Sequence, residues 1–139
     1  MQRNRAKTTK KTTEAYSFRS GLERSIAENL AALGIDFSYE SEKIEYLRPA
    51  RVSKYTPDFI LPNGIIIEAK GRFLTADRQK QLLIKDQHPE LDIRFVFSNS
   101  RQRISKTSRT TYARWCELKG FQYADKEIPV QWLKERVSF

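Results

Sequence analysis

Asp58, preceded by Pro57, and the triplet Glu68-Ala69-Lys70 close two short apolar runs joined by Pro62-Asn63-Gly64. Two carboxylates and an ammonium gathered at one point can hold a divalent cation and hydrolyse a phosphodiester. Whether they gather is a question of strand register. Tyr55 to Leu61 and Ile65 to Ala69 are rich in β-branched and aromatic side chains, and Asn63-Gly64 is a strong hairpin signal. With a three-residue loop and Gly64 left-handed, Leu61 faces Ile65 and Asp58 falls opposite Glu68. Their Cβ atoms would then lie about 4.5–5.5 Å apart. A two-residue loop pairs Asp58 with Ala69 instead and sends the carboxylates to opposite faces of the sheet.

Facing like charges resist ionising together unless a cation sits between them. Carboxylates, a backbone carbonyl and water suit Mg²⁺ or Mn²⁺, whereas zinc prefers nitrogen and sulfur, and the chain has one His and one Cys. Lys70 shares a strand face with Glu68, where its ammonium would hold an attacking water or steady charge growing on a phosphate. Acid-x-Lys alone is common on solvated strand edges. The shared hairpin is what favours a site.

A third acid is within range. Phe18-Arg19-Ser20-Gly21-Leu22-Glu23 opens a helix whose apolar positions Leu22, Ile26, Leu30 and Leu33 form one stripe ending at Gly34. Ser20 and Glu23 have capping-box spacing, so Glu23 either bonds the Ser20 N–H or reaches the end of a sheet beneath the helix. Taken alone, the spacing favours the cap.

The remaining elements predict an α/β fold with a mixed β-sheet flanked by helices. Ile35, Phe37 and Tyr39 alternate, as do Ile44 and Tyr46, suggesting an antiparallel pair ahead of the hairpin. Thr75 caps a helix running to about His88, where Pro89 stops it, and Ile93 to Phe97 reads as a buried strand. Thr110 or Thr111 begins a helix with Tyr112, Trp115, Cys116 and Leu118 inward and Gly120 after its end. Phe121 to Ala124 and Ile128 to Leu133 complete the layer. His88 suits a helix C-terminus as a dipole partner, and Cys116 reads as a core thiol. A single Cys allows no internal disulfide and suits a reducing, intracellular setting. No signal peptide, membrane span or phosphate-binding glycine loop is evident, so no membrane and no nucleotide cofactor are expected.

At 139 residues the chain is one domain's worth. Its net charge of +9 is unevenly spread. Arg3, Arg5, Lys7, Lys10 and Lys11 lie in an acid-free start, and Arg101, Arg103, Lys106 and Arg109 in an acid-free loop from Ser98 to Thr110. Those nine carry the whole excess, because the other 17 cations balance 17 acids. Segments so polar and rich in Ser and Thr are expected to remain flexible and unpacked, and to meet a phosphate backbone. A solvated tail and loop are the plain alternative. A membrane surface is disfavoured because neither segment has an apolar face.

Phe18 to Glu23, Tyr55 to Gly64, Glu68 to Gly71, Gln87 to Asp92 and Asp125 to Trp132, in this order and spacing, resemble the bacteriophage endonuclease I family of junction-resolving enzymes. The resemblance, running from about Tyr16 to Lys134, implies a restriction-endonuclease-like PD-(D/E)xK fold in a segment-exchanged homodimer. It also implies that Glu23, Asp58 and Glu68 bind metal with the Ala69 carbonyl, and that Lys70 is the catalytic lysine. The cap-first reading of Glu23 then gives way, and Glu23 of one subunit serves the site of the other. Up to two Mg²⁺ ions, replaceable by Mn²⁺, are implied per site, with one cut per subunit in a four-way junction or other branched DNA. Residues 1–15 would be a flexible basic arm, 16–139 the nuclease domain and 47–54 the crossing segment, which spans at most about 28 Å when extended. The setting implied is the host cytoplasm. A related nuclease acting on linear DNA, of restriction, repair or transposon-end type, and a non-catalytic DNA-binding module are the alternatives.

Overall fold

The computed structural model describes residues 17–48 and 51–136. The basic arm at 1–15, with Arg3, Arg5, Lys7, Lys10 and Lys11, lies outside the described residues.

Ser20 starts the first helix, α1 (Gly21–Ala32), by accepting the Glu23 N–H at 3.0 Å on its hydroxyl. Five strands form the main sheet: β1 (Ser38–Tyr39), β4 (Phe59–Ile60), β5 (Ile66–Lys70), β6 (Ile93–Phe97) and β7 (Tyr123–Asp125), in the order β1-β4-β5-β6-β7. The first three pair antiparallel and the last three parallel. Parallel neighbours need long crossovers. These contain α2 (Thr75–Gln87) and α3 (Tyr112–Lys119). A separate antiparallel pair, β2 (Ile44–Arg48) and β3 (Arg51–Tyr55), and a closing helix α4 (Val130–Lys134) complete the chain. The expected mixed α/β architecture is present.

The pleat divides the core in two. Ile65, Ile67 and Val96 pack with Ile26, Leu30 and Trp132 under α1 and α4. Ile66, Phe95 and Phe97 pack with Phe73, Ile84 and Trp115 under α2 and α3. β6 is buried along its whole length, as a central parallel strand should be, yet it contains Arg94. That guanidinium is tolerated because Asp92 and Glu135 each approach it to 2.7 Å, while the Trp132 ring lies 5.2 Å away.

Several local expectations are corrected. Ile35 to Tyr39 does not pair with Ile44 to Tyr46: β1 pairs with β4 and β2 with β3. Glu40, at φ 49°, turns the chain out of the main sheet between them. β2 then docks on the end of α2, where His88 Nε2 lies 2.6 Å from the Glu45 carbonyl and the Gln87 side-chain amide bonds both backbone groups of Leu47. Thr75 is the first helical residue rather than the cap, and Asp77 instead accepts the Leu74 N–H at 3.0 Å. Thr111 does cap α3, and Gly120 ends it at φ 81°. Leu118 and Leu33, expected inward, are 58% and 48% exposed, each on the last turn or cap of its helix where the packed layer ends.

The loop from Ser98 to Thr110 is not an unpacked segment. Ile104 N–H donates to Thr110 O and Tyr112 N–H to Gln102 O, both at 2.8 Å, and Asp125 accepts from Ser100 N–H and Oγ–H at 2.6 and 2.7 Å. Composition alone missed these fastenings because two of the partners, Tyr112 and Asp125, lie beyond the loop.

Candidate active site

Turn chemistry sets the site. Leu61 N–H donates to Ile65 O and Gly64 N–H to Leu61 O, both at 2.9 Å, with Gly64 at φ 88°. A side chain at Gly64 would be strained in that conformation. The loop is therefore the three-residue form, and pairing of Phe59 with Ile67 and Ile60 with Ile66 carries Asp58 to Glu68. The two acids brace each other's strands: Asp58 N–H donates to Glu68 Oε2 at 3.0 Å, and Ala69 N–H donates to Asp58 Oδ2 at 2.9 Å. Tyr55 adds its hydroxyl to Glu68 Oε2 at 2.8 Å.

On the other side of Asp58, one carboxylate oxygen each from Glu23, Glu40 and Asp58 lie within 4.8 Å of one another. Glu23 does not close a capping box on Ser20. Its Oε1 accepts from the Tyr39 hydroxyl at 2.5 Å and from Arg19 N–H at 3.1 Å, which aims it at the sheet. Glu40 is an acid that the sequence reading missed. It arrives because β1 continues its pairing past Tyr39, so that Glu40 N–H donates to Asp58 O at 3.2 Å. Only the long-range pairing of β1 with β4 reveals this, and no local pattern encodes it.

Burial, then the neighbouring Glu68 and Glu23, push the Asp58 carboxyl well above the usual carboxylate range. Burial also raises Glu68, against the opposing pull of Lys70. The Tyr39 phenol is raised by burial and by its bond to Glu23, and that of Tyr55 by burial and by Glu68. Arg19 Nη1 lies 3.8 Å from Glu40 Oε2, while Asp58 and Glu68 remain pushed toward their protonated forms, and a cation between their oxygens would relieve that. All of the donors are oxygen, which fits a hard ion such as Mg²⁺. The Ala69 carbonyl is at the same strand end.

Lys70 extends toward α2, where its Nζ lies 3.5 Å from Asp77 Oδ1. One turn on, Lys80 sits with its Nζ 5.4 Å from the centre of the Tyr55 ring. Burial lowers its ammonium pKa, while Glu68 opposes that shift. Asp77 and Lys80 also border the site, brought there by the packing of α2 rather than by a local pattern that the sequence reading could use. The site thus has an acid-rich side under α1 and a side toward α2 with two lysines, Lys70 from β5 and Lys80 from α2.

The basic loop begins beside this strand end, because Ser98 N–H donates to Lys70 O at 3.1 Å. Arg101, Arg103, Lys106 and Arg109 are all exposed on it. The structure therefore places four predicted substrate-binding cations on a fastened loop next to the end of β5. No helix among the described residues is long and apolar enough to cross a membrane.

Comparison with known proteins agrees with the residue pattern. A family model described as Phage endonuclease I matches residues 2–139. Endonuclease I of Escherichia phage T7 is 53% identical over 119 residues, covering 86% of this chain and 80% of that protein. Endodeoxyribonuclease 1 of Enterobacteria phage T3 is 53% identical over 123 residues, covering 88% and 81%. With the acid-lined hairpin in place and likeness extending over almost the whole length, this chain belongs to the phage endonuclease I family.

Proposed function

We propose that the protein is a divalent-metal-dependent endodeoxyribonuclease of PD-(D/E)xK type that resolves four-way junctions and other branched DNA inside the phage's host cell. The register that sets Asp58 beside Glu68, with Lys70 next on the same face, is the observation that carries this reading. Glu23, Asp58, Glu68 and the Ala69 carbonyl would hold up to two Mg²⁺ ions, or Mn²⁺ in their place. When bound, the metal supplies Lewis acidity and charge neutralisation to an in-line phosphoryl displacement.

The chain's own groups do the rest. Lys70, released from Asp77 toward substrate, donates hydrogen bonds to a non-bridging phosphate oxygen or to the attacking water. Tyr55 and the Asp58 N–H keep the Glu68 carboxylate turned to the site. Water oxygen bonds to phosphorus as the bond to the 3′ oxygen breaks. A proton passes to that leaving oxygen, giving 5′-phosphate and 3′-hydroxyl ends.

A homodimer with exchanged segments, cutting once per subunit, suits a two-fold junction. The β2–β3 register supports the exchange: strands paired across residues 49 and 50 in one chain can pair identically with a second copy if 47–54 runs straight on. Glu23 would then be supplied by the partner to the position it occupies beside Asp58 here. Leu47 and Val52, 60% and 58% exposed on these strands, are apolar surface for a partner to cover.

Incubating the protein with a labelled four-way junction and a matched linear duplex, with and without Mg²⁺, tests the proposal. Junction cleavage only with metal is expected. Preference for linear DNA, or binding without any cutting, would replace it. The basic arm is tested by salt dependence: deleting residues 1 to 13 should flatten the slope of log K against log salt by roughly 4 to 5 units. An unchanged slope removes the arm from the interface.

A further inference from the structure

Between the start of α2 and the loop after β6 lies a cleft of about 300 Å³. Arg72, Arg103 and Lys106 stand exposed around it, Leu74 and Ile104 form apolar walls, and Tyr112 lies at the back. No carboxylate lines it among the described residues. Two features separate it from a chance group of surface cations.

The first is Tyr112, only 6% exposed. Its hydroxyl oxygen accepts the Phe73 N–H at 3.2 Å, which leaves its own proton to donate. The second is that the loop's cations are carried on fastened backbone. The Ile104–Thr110 and Tyr112–Gln102 bonds, with the Arg103–Thr111 bridge, set where Arg103 and Lys106 begin. Arg72 leaves the other wall two residues past Lys70, at most about 7 Å along the backbone.

Gln102 and Ser105 complete the lining, and every polar side chain of it has a hydrogen to give. Two guanidinium forks, an ammonium and a phenol call for a compact ligand that only accepts, and the apolar walls suit the carbon face of a sugar. We propose that the cleft grips one backbone phosphate of the DNA, a near neighbour of the phosphate that is cut, with Arg72 and Arg103 sharing that phosphate. This rests on the nuclease reading and adds Arg72 and Tyr112 to the substrate contacts. It also divides the loop, giving Arg103 and Lys106 to this phosphate and leaving Arg101 and Arg109 for others.

Sharing makes the proposal testable, because two cations on one phosphate cannot be lost independently. Binding of a labelled four-way junction in EDTA is measured for wild type, Arg72→Gln, Arg103→Gln and the double variant. Both side chains are exposed, so an unchanged Tm should accompany each change. Each single variant should weaken binding about tenfold, as expected for a charge-assisted hydrogen bond. The double variant should fall well short of the hundredfold that independent contacts would give. Additive losses, or single losses under about twofold, overturn the shared phosphate. If wild type cuts the junction in Mg²⁺ while the losses are additive, the cleft alone fails. If wild type neither binds nor cuts DNA, the nuclease reading fails and the cleft with it.

Discussion

Two buried charge clusters lie on opposite ends of the central strands, and they are balanced in opposite ways. At one end Arg94 is almost fully enclosed, and two carboxylates meet its guanidinium at 2.7 Å while remaining half exposed themselves. At the other end Asp58 and Glu68 are pressed together among Glu23 and Glu40, and both are raised above the ordinary carboxylate range. The first cluster is satisfied and fastens α4 to the sheet. In the second, the carboxyls of Asp58 and Glu68 stay raised even with Lys70 beside them, which is the imbalance that the proposed metal would relieve.

The largest expected effect tests that contrast at the end of Asp58 and Glu68. Glu68→Gln keeps an acceptor for Tyr55 and for the Asp58 N–H, yet should reduce Mg²⁺-supported junction cleavage by at least about a thousandfold. Lys70→Ala should do the same, with junction binding retained in both. Cleavage within tenfold of wild type in either variant would move the chemistry elsewhere.

At the satisfied end the expectation is reversed. Arg94→Met should lower Tm by about 5 °C through lost pairing and leave the cleavage rate of the folded protein unchanged. A rate loss without a Tm change would contradict the division.

The smallest effect is one of sign. A carboxyl whose folded pKa lies above its unfolded value stabilises fully below the unfolded value, and that contribution disappears as pH rises through the folded one. Asp58 and Glu68 are both raised, so metal-free protein should lose stability as pH climbs from about 4 upward. Melts in EDTA between about pH 5 and pH 8 should show a smaller decline for Asp58→Asn, and Mg²⁺ should restore the wild type. A wild-type Tm that rises over this window for a reason traced to Asp58 would reverse the inferred sign.

Legibility followed the range of the interactions. Pro62-Asn63-Gly64 encodes its turn within three residues, so the register of Asp58 and Glu68 could be read from the chain. So could the start of α3, to within the choice of Thr110 or Thr111, and its stop at Gly120. Glu40 could not, because its place depends on β1 finding β4 across a chain reversal. Asp77 and Lys80 depend on how α2 lies over β5. The basic loop looked unpacked because the partners that fasten it, Tyr112 and Asp125, are remote in sequence or belong to the next helix.

The tip of the β4–β5 hairpin has one more attachment. The Asn63 amide donates to the carbonyls of Trp132 and Glu135, 69 and 72 residues further on, each at 2.9 Å. On a ribosome the turn is therefore made long before the carbonyls that clamp it. Until they emerge, the hairpin is held in step by its turn, by the bonds of Asp58 with Glu68 and Ala69 and by its pairing with β1, and the clamp is a later addition to a register already set.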